Sequence, residues 1–319
     1  MQGHFKPHSN TLAHLKYKVE NTYKSYSSNS INMEISFYSS SLNLLPKYIE
    51  FYKKCFPSAT RYNLPYLQWM YECNPAGVAT GVDAFCGDEL VGQVIAIPQE
   101  YIFRGNLVKG LLAVNVAVRP QFQGRHLFKK LGLRLCEHAA ADGYGFIIGV
   151  ANKAATLGWT RQMGFQLVTP LQAMIGFGSL GIDGLDRIVE SAELRHCWTS
   201  DTLKWRSANP VNPVSLKVRP TERAIRAAAF SGIPRVSAYA EIPLVNMGAV
   251  NSDVGHGISI NPNVFLGLIP EHSFGFRYLT IPKRFKPSPL NLIYKNLQDS
   301  SDCLEKKACF FNFLDFDAF

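Results

Sequence analysis

VNVAVRPQFQGRHLFKKL, residues 114 to 131, is the stretch whose reading decides the fold. An apolar strand runs through Val114, Val116 and Val118 and stops at Pro120. A short polar turn follows, and then an amphipathic helix begins. Leu127, Leu131 and Leu135 recur at helical spacing, with Phe128, Cys136 and Ala139 beside them and Lys129, Lys130, Arg134 and Glu137 on the other side. The first N–H groups of a helix lack intrahelical partners and sit at the positive end of its dipole. A strand, a tight turn and a helix N-terminus therefore make a cradle for a pyrophosphate.

Upstream, MEISFY (33–38) alternates as a strand, and LLPKYIEFYKKCF (44–56) puts Leu44, Tyr48, Phe51 and Cys55 on one helical face. LPYLQWMYECNP (64–75) predicts a second helix with Pro65 in its first turn, closed by Asn74-Pro75. VDAFCGDELVGQVIAIP (82–98) predicts a hairpin turning at Gly87-Asp88, and the chain reverses again around Gly105-Asn106. Downstream, a strand FIIGVAN (146–152), a helix AATLGWTRQMG (154–164) and a strand FQLVTPLQAMIGFG (165–178) complete the unit.

Beyond Gly178 the pattern returns in weaker form. LKWRSANP (203–210) echoes LQWMYECNP (67–75), each with Leu-x-Trp followed by Asn-Pro. FLGLIP (265–270) and FRYLTIP (276–282) read as strands and PLNLIYKNL (289–297) as helix-like. In the terminal ACFFNFLDFDAF, an edge strand would turn its acidic residues to water. The expected domains are a disordered extension over 1–32, a cofactor-binding domain over 33–178 and a second α/β domain, a degenerate copy, over 179–319. Residues 1–32 are rich in Ser, Asn, His and Lys without periodicity, and Met33 reads as a natural initiator.

With 47% hydrophobic residues in 319, a large core is expected, and no apolar run is long enough for a membrane span or a secretory signal. A cytoplasmic protein is expected. Its seven cysteines are scattered and never in a C-x-x-C pair, which argues against a structural metal and for reduced, buried thiols. The formal charge of +9 is spread along the chain rather than gathered in a stripe, so a phosphorylated small ligand suits it better than nucleic acid.

The central stretch resembles the GNAT superfamily of acyl-CoA-dependent N-acyltransferases. That signature is a strand, V-x-P, an aromatic residue and then Q/R-x-x-G-x-G/A; Val118, Pro120, Phe122 and Gln123 match it. Asn152, ending the next strand, and Gly164-Phe165, closing the following helix, continue the likeness over roughly 33–178. The resemblance implies a GNAT fold, a mixed central sheet flanked by helices, followed here by the second α/β domain. It also implies acyl-CoA as co-substrate (acetyl-CoA or a short hydroxyacyl-CoA) and no metal. Val116, Ala117, Val118, Gln123, Gly124, Arg125, His126, Leu127, Phe128, Asn152 and Trp159 are the expected cofactor contacts.

Two departures follow from the same alignment. The first signature glycine falls on His126 and the second small residue on Phe128; backbone N–H contacts survive this if φ at His126 stays negative. Thr160 stands where many family members have a tyrosine as general acid, and a threonine hydroxyl is too weak an acid for that role. LLAVNVAV (111–118) carries no carboxylate to act as base. Asn115 can orient an amine or a water without taking a proton, so Asn115 and Asn152 are the catalytic candidates. Glu72, Asp83, Glu100, Asp315 and Asp317 are further base candidates, and Tyr66, Tyr71 and Asp83 are assigned to the acceptor. KRFKPSP, with Lys283, Arg284 and Lys286 around Phe285, could hold a nucleotide. The two-part layout resembles bacterial acyltransferases of nucleotide-linked amino sugars, which implies such a small-molecule amine as partner. An acetyltransferase for a protein lysine, polyamine or antibiotic amine, and a non-catalytic acyl-CoA-binding module, are the alternatives.

Overall fold

The structure is a computed structural model that describes residues 34–219, 224–244, 261–270, 277–282, 284 and 288–316. The expected extension at 1–32, Met33, Asp317, and Lys283, Phe285 and Lys286 of the basic run lie outside the described residues. Of that run Arg284 is described, and its side chain is exposed.

The first half opens with β1 (Ile35–Ser39), α1 (Leu45–Cys55) and α2 (Leu64–Tyr71). Asn63 caps α2, its Oδ1 accepting the Tyr66 N–H at 3.0 Å, and Pro65 stands in the first turn, where its missing donor costs nothing. Then come the hairpin strands β2 (Thr80–Cys86) and β3 (Glu89–Phe103), turning at Gly87-Asp88, and β4 (Asn106–Val118), reached through Arg104-Gly105. The helix α3 (Leu127–Ala141) leads to β5 (Phe146–Ala151), and α4 (Lys153–Leu157) runs into a π-helical turn at Gly158–Gln162. The strands β6 (Gln166–Pro170) and β7 (Gln172–Gly176) follow.

The second half consists of α5 (Leu185–Glu190), β8 (Leu194–His196), α6 (Ser200–Ser207), β9 (Ser215–Arg219), β10 (Ala224–Phe230), β11 (Ser237–Pro243), β12 (Asn263–Leu268), β13 (Tyr278–Thr280), β14 (Asn291–Asn296) and β15 (Phe311–Asn312).

Among the described residues two sheets result, and their orders correspond. The first runs β1-β2-β3-β4-β5-β14-β6, with β4 parallel to β5; the second runs β9-β10-β11-β12-β7-β13, with β11 parallel to β12. The first half thus gives β7 to the second sheet, between β12 and β13, while the second half returns β14 to the first, between β5 and β6. The sheets are therefore not divided at residue 178. FQLVTPLQAMIGFG breaks at Leu171, whose N–H goes to Leu290 O, and its two parts join different sheets.

PLNLIYKNL, helix-like in sequence, is the strand β14. Leu292, Ile293 and Tyr294 are buried in succession because the strand is covered on both faces, and such a run has the same apolar density as a buried helix. The terminal segment also departs from expectation. After β15 it turns into a 3-10 helix at Phe313–Asp315, and Asp315 is 2% exposed rather than facing water.

The repeated Leu-x-Trp…Asn-Pro segments meet. Trp69 Nε1 donates to Trp205 O and Trp205 Nε1 to Trp69 O, both at 2.7 Å, with the indoles stacked 5.0 Å apart at 18°. Residues in equivalent places making the same bond to each other is the signature of a two-fold axis. Asn74 and Asn209 repeat a second detail, each accepting an N–H two residues on. The two halves thus share a sheet order and a pair of equivalent helix-end contacts.

One core lies under α3, built from Val94, Leu111, Leu131, Leu135, Ile147 and Trp159 among others. Another fills the opposite face of that sheet under α1 and α2. A third packs the second sheet. Among the described residues, no helix is long and apolar enough to cross a membrane.

Candidate active site

The site exists because β4 and β5 part. Their parallel pairing covers Gly110–Ala113 against Phe146–Gly149 and goes no further. At the same point β4 carries a bulge: Ile95 faces Asn115 and Ala96 faces Ala113, so Val114 is the extra residue. From Val114 to Val118 the strand keeps β3 on one edge and leaves the ladder on the other. Val116 and Val118 turn their half-buried side chains to the α3 side, and Ala117 turns its own to the α1 side.

Beyond the bulge opens a cleft of about 440 Å³, within the range of small-molecule sites. One wall is Val118, Phe122, Gln123, Gly124, His126, Leu127 and Phe128; the other is Ala154, Ala155, Leu157, Gly158 and Gln162. The turn is shaped by two left-handed residues, Gly124 (φ +78°) and His126 (φ +58°). The condition of a negative φ at His126 is therefore not met. α3 starts at Leu127, and the residue that leads into it, His126, is left-handed (φ +58°, ψ +19°). His126 is the N-cap of α3 and its side chain makes no capping bond, which leaves the first-turn N–H groups uncapped at the end of the helix where His126, Leu127 and Phe128 line the cleft. Gln123 Nε2 donates to Val118 O at 3.3 Å, and the Arg125 guanidinium lies over Phe122 at 5.1 Å. These residues fit a pyrophosphate-bearing co-substrate.

A histidine in the left-handed region is strained by roughly 1–2 kcal/mol, which glycine would relieve at an entropic cost of about half that. His126→Gly is therefore expected to raise the unfolding free energy by up to about 1 kcal/mol and to keep acyl-CoA affinity, read by urea titration and calorimetry. A loss of affinity would show that the imidazole itself is a ligand.

On the other wall, Asn152 is the N-cap of α4. Its Oδ1 accepts the Ala155 N–H at 2.9 Å, and its carbonyl accepts from Thr156 Oγ1 at 2.7 Å. Its side chain thus has a structural task, and it is not among the residues lining the cleft. Thr160 Oγ1 donates to Thr156 O at 2.9 Å, which spends its hydrogen inside the helix. Trp159, assigned to the cofactor from sequence, is buried in the core instead, edge-on to Phe128 (5.4 Å) and Phe165 (4.7 Å).

The acceptor-side candidates are placed on the other face of β4. Asn115 Nδ2 donates to the Tyr71 hydroxyl at 2.6 Å, and Tyr62 OH lies 3.4 Å from Asn115 Oδ1. Tyr71 bonds Tyr52 at 3.0 Å; Tyr52 donates to Gln93 Oε1; Gln93 Nε2 donates to Asp83 Oδ1 at 2.6 Å. Ser40 and Tyr48 donate to the same carboxylate at 2.7 and 2.6 Å. Asp83 is 0% exposed, so it cannot touch an acceptor as the sequence suggested; it anchors a buried chain. Burial pushes its carboxyl above the ordinary value, against the pull of the bonds from Ser40, Tyr48 and Gln93. Burial likewise pushes the Tyr52 and Tyr71 phenols up. Tyr66 is enclosed between Tyr62 and Trp69 rather than open to a ligand.

Tyr52, Tyr62 and Gln93 were missed by the sequence reading. Tyr52 follows Phe51 on the buried side of α1, and the only signal was that a second polar aromatic lay there. Of the other base candidates, Glu72 is exposed at the end of α2 and Glu100 pairs with Lys109, toward the far end of β4 from Asn115. Asp315 borders a small cavity with Met70, Val114 and Gln99, and its carboxylate is held by His196 Nδ1 at 3.3 Å and the Asn312 N–H at 2.6 Å. All seven cysteines are free thiols; burial raises Cys55 and Cys136 to about 11 and Cys309 to about 12, so none of these three is a nucleophile at neutral pH. Among the described residues, no three His, Cys, Asp or Glu side chains form a metal-binding group.

Residues 41–168 match a family model described as an acetyltransferase (GNAT) domain. The match marks a GNAT acetyltransferase domain within the first half of the chain. No curated protein matches it by sequence. Among solved structures it is similar to a GCN5-related N-acetyltransferase from Anabaena variabilis, at 11% identity and a TM-score of 0.55 over 83% of this chain and 73% of that one. Eis1 from Mycobacterium abscessus is similar at 15% identity and a TM-score of 0.53 over 83% and 74%. A conserved protein of unknown function from Enterococcus faecalis gives 12% and 0.52 over 83% and 73%. Each likeness spans far more than residues 41–168, so the shared fold takes in both halves.

Proposed function

We propose that the chain moves an acyl group from acyl-CoA to the primary amine of a nucleotide-linked amino sugar, in the making of a surface polysaccharide. One observation carries this reading: among the described residues the side chains hydrogen-bonded to Asn115 are the neutral Tyr62, Tyr71 and Met70. A strongly basic amine arrives as an ammonium and needs a base before it can attack. An amino sugar is less basic, because its neighbouring oxygens withdraw electrons, and a neutral site suits it.

Residues 124–128 would hold the pyrophosphate and the outer edge of Val114–Val118 the pantetheine arm, aligning the thioester carbonyl with the amine. The amine nitrogen bonds to the carbonyl carbon as the carbon–sulfur bond breaks, and the proton the nitrogen sheds is taken up by the departing thiolate, directly or through water, giving the amide and free CoA thiol. The thiolate leaves without a phenol to protonate it, since a thiol pKa is about 8.5.

The test is CoA release from acetyl-CoA and a short hydroxyacyl-CoA with three acceptors: a UDP-linked amino sugar, spermidine and a lysine peptide. Turnover is expected with the nucleotide sugar. Turnover confined to spermidine or the peptide would overturn the acceptor and leave the reaction class standing.

A further inference from the structure

The chain of hydrogen bonds from Asp83 to Asn115 has a direction, and atom counting fixes it. A carboxylate has no hydrogen to give, so Gln93 must turn its NH2 toward Asp83 and its Oε1 toward Tyr52. Tyr52 spends its single hydrogen on that oxygen. The hydrogen between the two phenols therefore belongs to Tyr71, whose oxygen accepts from Asn115 Nδ2. Each link donates toward Asp83, and bonds aligned in this way polarise one another in a dry interior. Asn115 is left with its Oδ1 turned the other way, and among the described residues the hydrogen bond on that oxygen is the long 3.4 Å one from Tyr62. This carboxamide stands next to the bulge where β4 leaves β5.

We infer that Asp83, acting through Gln93, Tyr52 and Tyr71, is a positioning residue that locks the Asn115 carboxamide with its oxygen on the Tyr62 side; Asn115 and Tyr62 are each 4% exposed, so the attacking amine reaches that oxygen by displacing the long Tyr62 bond and giving it an N–H instead. The inference rests on the acyltransferase reading of the site. An oxygen at that place orients the amine lone pair toward the thioester, whereas an NH2 group there would oppose it. Asp83 does this without touching a substrate.

Asp83→Asn is expected to reverse the chain. Tyr48 oxygen already accepts the Ser41 N–H at 2.9 Å, so the Tyr48 hydrogen stays on residue 83 and holds the new amide oxygen there. The new NH2 then faces Gln93, which must flip, and the reversal runs through both phenols to Asn115. Adding Gln93→Glu moves a carboxylate one link along and restores the original direction with the same charge and nearly the same volume.

The first readout is hydrogen exchange of the Asn115 side-chain NH2, followed by NMR on full-length protein with isotope-labelled asparagine. The second is acetyl transfer from acetyl-CoA to hydroxylamine, a small amine that needs no sugar pocket. Exchange should be slow in the wild type, at least about tenfold faster in Asp83→Asn and slow again in the double variant. The kcat for hydroxylamine should fall and recover in step, with acetyl-CoA affinity constant. Tyr52→Phe, which cuts the chain in the middle, serves if Asp83→Asn does not fold, and should behave like it. Equal exchange in all variants overturns the inference whatever the activity. Exchange that follows the pattern while kcat does not removes the positioning role. A wild type that never acetylates hydroxylamine counts against the acyltransferase reading, while exchange still decides the chain.

Discussion

Trp205→Ala is expected to cost about 3–5 kcal/mol of unfolding free energy, the range for emptying a large aromatic from a core. The indole is buried, stacks on Trp69 and exchanges hydrogen bonds with it across the pseudo-two-fold axis. Its removal leaves a cavity at the join of the two halves and takes a donor away from Trp69 O. Trp205→Phe separates the terms: the stack survives, one N–H is lost, and about 1–3 kcal/mol is expected for the unpaired buried carbonyl. Urea unfolding followed by circular dichroism gives both values. Because β7 and β14 are exchanged between the sheets, one cooperative transition should be seen in each case. A change below about 0.5 kcal/mol for the alanine variant would mean that the exchanged strands alone join the halves.

Ala154→Trp should abolish acyl-CoA binding without destabilising the free protein. Ala154 is exposed on α4 and forms part of the cleft wall opposite the turn at Gly124, so an indole there fills space the co-substrate would need. In the wild type, acyl-CoA at a hundredfold excess over its Kd stabilises the native state by about 2.7 kcal/mol, seen as a rise in Tm. The variant should show no such rise, and its kcat/KM should fall at least about a hundredfold, since reacting groups held out of line lose that much. A full shift in Ala154→Trp would move the co-substrate out of this cleft.

The GNAT unit was legible because its signals are local. Strand, Pro120, turn and the Leu127-Leu131-Leu135 stripe lie within about two dozen consecutive residues, and their periods differ enough to be told apart. The Leu-x-Trp…Asn-Pro echo was legible for the same reason, although nothing in it says that the two tryptophans touch. The turn between Pro120 and α3 was legible in the chain, but the left-handed backbone at His126 was not, since no residue type other than glycine announces a positive φ.

Periodicity and the spacing around Pro120 determined by themselves a strand, a turn and an amphipathic helix in that order, because helical and extended periods are written in neighbouring residues; the GNAT likeness came from the match of Val118, Pro120, Phe122 and Gln123 to that family's signature. Only the tertiary structure decided that β7 and β14 change places, since a strand buried on both faces carries no period to distinguish it from a helix or to name its sheet. It also decided the fates of Asp83, Tyr66, Trp159 and Asp315. A polar or aromatic side chain is read from sequence by its chemistry, but whether that chemistry meets a ligand or another buried side chain depends on partners dozens to hundreds of positions away. Asp83 reaches Tyr48 across |i−j| = 35, and His196 reaches Asp315 across |i−j| = 119. Such contacts are settled by how the sheets pack, because the cost of burying a charge is met only by whatever donors the fold brings to it.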